Sequence, residues 1–152
     1  MAEINNSLVL DAATDNLQQV MSFIEDCLKD RDISPKTEMH INMSVEEIFV
    51  NIAHYAYTEK TGKATINVSV TDDPAAITII FKDSGIPYDP LAKKDPDVTL
   101  SAKERKIGGL GIYLVKKMMD EVVYKYENGQ NVLIIKKHLY FILIKQRCFF
   151  YN

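Results

Sequence analysis

The sequence is short of the features that mark several common classes of protein. Its two cysteines, Cys27 and Cys148, lie far apart, with no CxxC spacing and no histidine cluster beside them. That argues against a disulfide framework and a zinc site, and it fits a reducing compartment. There is no surplus of positive charge: 18 Lys and Arg stand against 21 Asp and Glu, a formal net charge of -3. A chain so balanced has little with which to neutralise a run of phosphates, so sequence-independent binding to nucleic acid has little support. Nothing approaches the roughly 18 consecutive apolar residues that a bilayer-spanning helix needs. The amino terminus, with Glu3 and Asp11 around a short apolar patch, lacks the basic start and small-residue cleavage site of a signal peptide. A soluble, cytoplasmic protein is expected. The 152 residues, 47% of them hydrophobic, fit one domain around one core.

What is present is a clear succession of patterns. Weak alternation from Ile4 to Leu10 reads as a strand ending at Asp11,. Leu17, Met21, Ile24 and Leu28 recur at three- and four-residue steps, which predicts an amphipathic helix over 15–29,. Ser34 and Pro35 form a helix start, serine capping free amides and proline losing no needed hydrogen bond. The helix that follows carries an apolar stripe of Ile41, Val45, Ile48, Ile52 and Ala56. Glu47, Asn51 and His54 gather on a separate, narrow face beside it. Ile66, Val68 and Val70 alternate with polar residues, and after Asp72, Asp73 and Pro74 the alternation resumes at Ile77, Ile79 and Phe81. These two runs predict a hairpin.

From Ser84 to Ile107 the periodicity disappears, and Gly85, Pro87, Pro90 and Pro96 stand among many charges. A segment this long is more than an ordinary connection and points to a functional lid. Gly108, Gly109 and Gly111 then open a helix carrying Leu110, Leu114, Val115 and Met118. A last hairpin runs from Val122 to Ile135 around Asn128 and Gly129, the favoured residues of a tight turn,.

Three places carry candidate chemistry. Glycines ahead of a helix leave backbone amides unshielded, and such amides attract phosphate through hydrogen bonds and the helix dipole. Ile112 and Tyr113 follow the last glycine, where a P-loop needs lysine and serine or threonine,. No strand runs directly into the glycines, so a Rossmann site fails as well. Asp83 ends an alternating strand just before Gly85, which places its carboxylate at the mouth of a layer; a turn-forming aspartate is the plain alternative. Glu47, Asn51 and His54 have the spacing of one helix face, and an ordinary solvated face has the same spacing.

Together these segments resemble a known set. The run from Glu47 through Asn51 and His54 to Tyr57 is similar to the N box of the GHKL superfamily of ATPases and kinases. The run from Asp83 through Gly85 and Asp89 to Pro90 resembles its first glycine box, and Gly108 to Val122 resembles its second. The three occur in the right order, and the likeness extends from about residue 4 to residue 137. The compact form, with Asp120, Glu121 and Val122 and a closing Asn131, Val132 and Leu133, is most similar to the anti-sigma serine kinases of sporulation and general stress.

The resemblance implies an α+β fold, the two-layer Bergerat sandwich, in which a mixed, mostly antiparallel sheet packs on about three helices over residues 1–137. It implies ATP and Mg2+, with Asn51 holding the metal and Glu47 acting as general base. His54 would lie at the nucleotide, Asp83 would read the exocyclic amine of adenine, and Gly85 would let the base come close to the backbone. Residues 89–107 would be the ATP lid, with Arg105 reaching the terminal phosphate. Gly108, Gly109, Leu110 and Gly111 would bind phosphate through their amides. Implied partners are an anti-anti-sigma (STAS) protein as phosphate acceptor, a sigma factor, and a second copy in a homodimer, with no direct contact to nucleic acid or membrane. An ATP-switched binding module without phosphotransfer, or the ATPase portion of a histidine kinase-like system, are the alternatives. Pro87 stands where many relatives have a further glycine. The apolar tail 138–152 lies beyond the usual end, and either packing on the domain or binding a partner would account for it.

Overall fold

The computed structural model describes residues 3–92, 94–95 and 110–139. Its elements follow the order read from the sequence: β1 (Ile4–Asp11), α1 (Leu17–Leu28), α2 (Pro35–Tyr55), β2 (Lys63–Asp72), β3 (Ala75–Asp83), α3 (Leu110–Met118), β4 (Glu121–Glu127) and β5 (Gln130–His138). The strands form one sheet in the order β1-β2-β3-β5-β4, and every pairing is antiparallel. The three helices cover one face of it, which gives the α+β sandwich expected from the sequence. Among the described residues no helix is long and apolar enough to cross a membrane.

Side-chain alternation decides which face of the sheet is covered, because successive residues of a strand point to opposite sides. Ile66, Val68 and Val70 of β2 lie opposite Phe81, Ile79 and Ile77 of β3, and all six are buried under the helices. Thr65, Asn67, Ser69 and Thr71, one residue out of phase, line the other side. The turn between β2 and β3 is as tight as Asp72, Asp73 and Pro74 require. The turn between β4 and β5 puts Asn128 at φ 54° and Gly129 at φ 73°. Two consecutive left-handed residues have the twist that a two-residue hairpin needs, and asparagine and glycine reach it at least cost.

The helices differ from expectation in detail. Thr14–Asn16 is a short 3-10 turn, so α1 begins at Leu17. Its fully buried residues are Val20, Ile24, Cys27 and Leu28, while Leu17 and Met21 are only partly covered. The buried face is thus turned slightly from the predicted stripe. Helix α2 starts as predicted: the Ser34 side chain accepts a hydrogen bond from the Thr37 amide at 3.1 Å, with Pro35 in the first turn. Phe49, outside the predicted stripe, is completely buried together with Ile41 and Val45. The reason is position: α2 lies between α1 and α3 as well as over the sheet, so its apolar surface is wider than one stripe.

Candidate functional site

Helix α2 brings two side chains of the site together. Asn51 Nδ2 donates to Glu47 Oε1 at 3.0 Å, one helical turn away,. With one N–H on the carboxylate, the carboxamide oxygen is the acceptor that Asn51 can offer a ligand. Both residues line a cavity of about 670 Å³. Gly111, in the first turn of α3, lines the same cavity against them. A β-carbon at 111 would overlap the Glu47 carboxylate, so glycine is what lets that carboxylate keep its present position beside α3.

The opposite wall is built by the sheet. Asp83, the last residue of β3, is 5% exposed and lies directly across from Asn131 of β5. Its Oδ1 accepts from Asn131 Nδ2 at 2.9 Å and from the Gly85 amide at 3.0 Å. Asn131 Nδ2 also donates to the Ile86 carbonyl at 2.9 Å. Asn131 Oδ1 accepts from the Tyr88 amide at 3.0 Å and from the Tyr124 hydroxyl at 2.6 Å. The partners fix the orientation of the amide: a carboxylate and a carbonyl can only accept, and a backbone N–H can only donate. Burial pushes the Tyr124 phenol above its ordinary pKa; the Tyr88 amide opposes this, and Asp89 and Asp83 reinforce it. The phenol therefore stays a donor at neutral pH.

Between these polar ends the cavity is apolar, with Ile48 and Ile52 of α2, Phe81 of β3, Ile112 of α3 and Leu133 of β5. Tyr55, Ile86 and Tyr88 form an exposed rim. An apolar slot with a few convergent polar groups is the usual make-up of a small-molecule site. Tyr57 fixes its edge from outside: the hydroxyl donates to the Lys63 carbonyl at 2.6 Å and accepts from the Ser84 amide at 2.8 Å, tying the end of β3 to the start of β2. Burial raises the pKa of this phenol too, against the lowering effect of the Ser84 amide.

The fold thus gathers Glu47, Asn51, Asp83 and Gly111 around one space. It does not bring His54 there. That ring is exposed in the last turn of α2, edge-on to Tyr55 at 5.8 Å, and it does not line the cavity. At 3.6 residues per turn, position 54 is rotated by about 60° from position 51, toward solvent. Gly85 also stays off the cavity wall. What approaches it closely is the Ala56 carbonyl at the end of α2, which accepts from the Ile86 amide at 2.9 Å. The close backbone approach expected there is made by the protein itself. Arg105, Gly108 and Gly109, with most of the expected lid at 89–107, and residues 140–152 of the tail lie outside the described residues; Leu110 begins α3. Among the described residues no group of three or more His, Cys, Asp or Glu is placed to hold a metal.

Asn131, Tyr124 and Tyr57 were missed as site residues. Asn131 carried a readable signal: it is in phase with Leu133 and Ile135, so it belongs to the covered face, where an asparagine needs partners. Tyr57 and Tyr124 acquire their roles across turns and strand pairs, from the Lys63 carbonyl, the Ser84 amide and Asn131, and alternation alone does not mark them.

Comparison with known proteins gives the family. The family model described as histidine kinase-like ATPase domain matches residues 10–137. Among curated proteins, the chain is 27% identical over 100 residues to the serine-protein kinase RsbW of Bacillus cereus (strain G9842), covering 63% of this chain and 61% of that protein. It is 28% identical over 101 residues to the protein of the same name from Listeria monocytogenes, covering 63% of each. The match therefore spans about three fifths of the length of these relatives. A solved structure of the RsbU and RsbW domains of a Mycobacterium tuberculosis protein superposes with a TM-score of 0.64, covering 90% of this chain and 32% of that one at 12% identity. That likeness is one of fold. With the family match covering most of its length, this chain belongs to the histidine kinase-like ATPase domain family.

Proposed function

We propose that the chain binds ATP in the cavity between α2, α3 and the sheet, and transfers the terminal phosphoryl group to a serine or threonine of a small partner protein. The observation that carries the reading is the convergence of Glu47 and Asn51, Asp83 and Gly111 on one apolar slot. The apolar walls suit a purine, and Asp83 offers a carboxylate that accepts from an exocyclic amine, where guanine would present another acceptor. The first amides of α3 suit the phosphates. A magnesium ion, when bound, would offset charge on the phosphates, and the Asn51 oxygen is the hard donor suited to hold it. Glu47 is held at the same end by Asn51 and is placed to take the proton of an attacking hydroxyl.

The relatives' name, serine-protein kinase, supports phosphotransfer. We assign the acceptor to the STAS class of anti-anti-sigma proteins, with a sigma factor held in alternation with it. A homodimer in the cytoplasm is the assembly this reading carries, with the lid at residues 89–107 and Arg105 near the terminal phosphate.

The test is direct. The purified protein is incubated with labelled ATP, magnesium and STAS proteins encoded beside it. Label on a STAS partner that disappears with Glu47→Gln supports the kinase. Tight magnesium-dependent ATP binding with no acceptor ever labelled would replace it with a nucleotide-switched binding protein.

A further inference from the structure

The Asn131 side chain makes four hydrogen bonds, two through its nitrogen and two through its oxygen. The asparagine is 8% exposed, and its hydrogen-bonding groups are all engaged by the protein. It lines the cavity with its own hydrogen-bonding capacity already taken up, so its effect on a ligand passes chiefly through the groups it holds. These are of two kinds. One is Asp83, whose Oδ1 takes the bonds from both Asn131 and the Gly85 amide. That fixes the plane of the carboxylate and leaves its second oxygen for the cavity. The other is the Ile86 carbonyl and the Tyr88 amide, which belong to the segment leading directly into the long loop.

Selectivity for the base depends on this fixing. A carboxylate is an acceptor only. Held in one plane, it meets the amino group of adenine or the oxo group of guanine at the same place, and only the first is favourable. Freed to turn, it can instead accept the ring N–H and amino N–H of guanine, and the distinction shrinks. The register supports the assignment, since Asp83 and Asn131 are directly opposed across the β3–β5 pair. Tyr124 sits diagonally on the neighbouring strand, with its hydroxyl on the Asn131 oxygen.

Resting on the nucleotide reading above, we infer that Asn131, braced by Tyr124, is a positioning residue that sets the preference for an amino-bearing purine and ties that recognition to the segment that follows β3. It locks the Asp83 carboxylate and the 86–88 segment with one amide group.

The experiment compares ATP and GTP affinities by calorimetry for the wild-type chain, Asn131→Ala and Tyr124→Phe. Thermal unfolding and backbone amide exchange at Tyr88 are followed in parallel. A hydrogen bond to a charged group has a net worth corresponding to roughly a tenfold effect or more. Asn131→Ala is expected to narrow the ATP-over-GTP ratio by about that factor, chiefly by losing ATP affinity, while Tyr88 exchange accelerates. Tyr124→Phe, which removes one bond to a neutral acceptor and keeps the packing, is expected to narrow the ratio by about two- to threefold. A merely structural role would lower the unfolding temperature and leave the ratio where it was; that outcome overturns the inference. If Asn131→Ala does not fold, Tyr124→Phe decides by the same ratio. A wild-type chain that binds neither nucleotide would remove the nucleotide reading first, before any substitution is compared, and this inference with it.

Discussion

Gly111 and Glu47 occupy touching positions across the α2–α3 contact, such that a single methyl group on the first would take the place of the carboxylate on the second. The obstacle is the far end of a flexible side chain, which can swing away at little cost. Alanine is moreover intrinsically better in a helix than glycine, by about 1 kcal/mol. Gly111→Ala is therefore expected to fold with undiminished stability and to bind nucleotide within a few fold of wild type. Transfer to an acceptor is expected to fall by about a hundredfold or more, the usual worth of a positioned general base. Stopped phosphotransfer assays at saturating ATP measure this. Wild-type transfer in Gly111→Ala would mean that the Glu47 position has no bearing on the chemistry.

Gly85 answers the same question in the opposite sense. A β-carbon there would meet the carbonyl and α-helical backbone at Ala56, which cannot rotate away. The Ile86 amide would lose its bond to that carbonyl, and the Gly85 amide would shift from Asp83. Gly85→Ala is expected to lower stability by about 1–3 kcal/mol, as overpacking does, and to weaken ATP binding along with it. Urea unfolding and calorimetry check the pair of effects; a stable variant with full affinity would contradict the close approach.

How much could be read beforehand follows from how local each signal is. The strands of the central hairpin and the cap at Ser34 rest on neighbours in sequence, so alternation and a Ser-Pro pair located them. Glu47 and Asn51 were readable because one helix supplies both. Asp83 was readable as a strand end, yet its partner Asn131 lies 48 positions away; only the pairing of β3 with β5 brings them together. The same is true of Tyr57, which joins the starts and ends of two strands. His54 lies off the cavity wall for a simpler reason: helical spacing places three residues near one face, but it does not say how wide the cavity beside that face is. The wide burial of α2, Phe49 included, was hidden because a sequence does not say that a helix has neighbours on both flanks.

Ser44 shows a cost that the fold carries. It is fully buried in α2, and its hydroxyl has no hydrogen-bond partner among the described residues. Position 44 lies on the same side of the helix as Glu47 and Asn51, but unlike them it is wholly covered. A buried hydroxyl left unpaired costs about 1–3 kcal/mol, and alanine is the better helix former. Ser44→Ala is expected to raise stability by about 1 kcal/mol or more without changing nucleotide affinity. Equilibrium urea unfolding reads the difference. A loss of stability of similar size would show that the hydroxyl is bridged by an internal water.

His40, one turn before Ser44, leads to a prediction in pH. Its Nδ1 is buried without a partner among the described residues. Its pKa is held below the ordinary 6.5, first by desolvation and then by Lys137 and Lys36, with Asp120 pulling the other way. The unfolded chain, whose histidine keeps its ordinary value, therefore binds the proton more readily than the folded one. The stability that follows from a neutral His40 is present above that ordinary value. It declines as pH falls through it toward the folded pKa, and below the folded pKa the decline stops. The imidazole resonance of His40 should titrate with a midpoint below 6.5, and the urea midpoint should drop between neutral and mildly acid pH. The comparison that isolates the effect is His40→Gln, which should flatten the drop. A His40 midpoint at or above the ordinary value, or an unchanged slope in His40→Gln, would place the ring in contact with solvent or with an acidic partner instead.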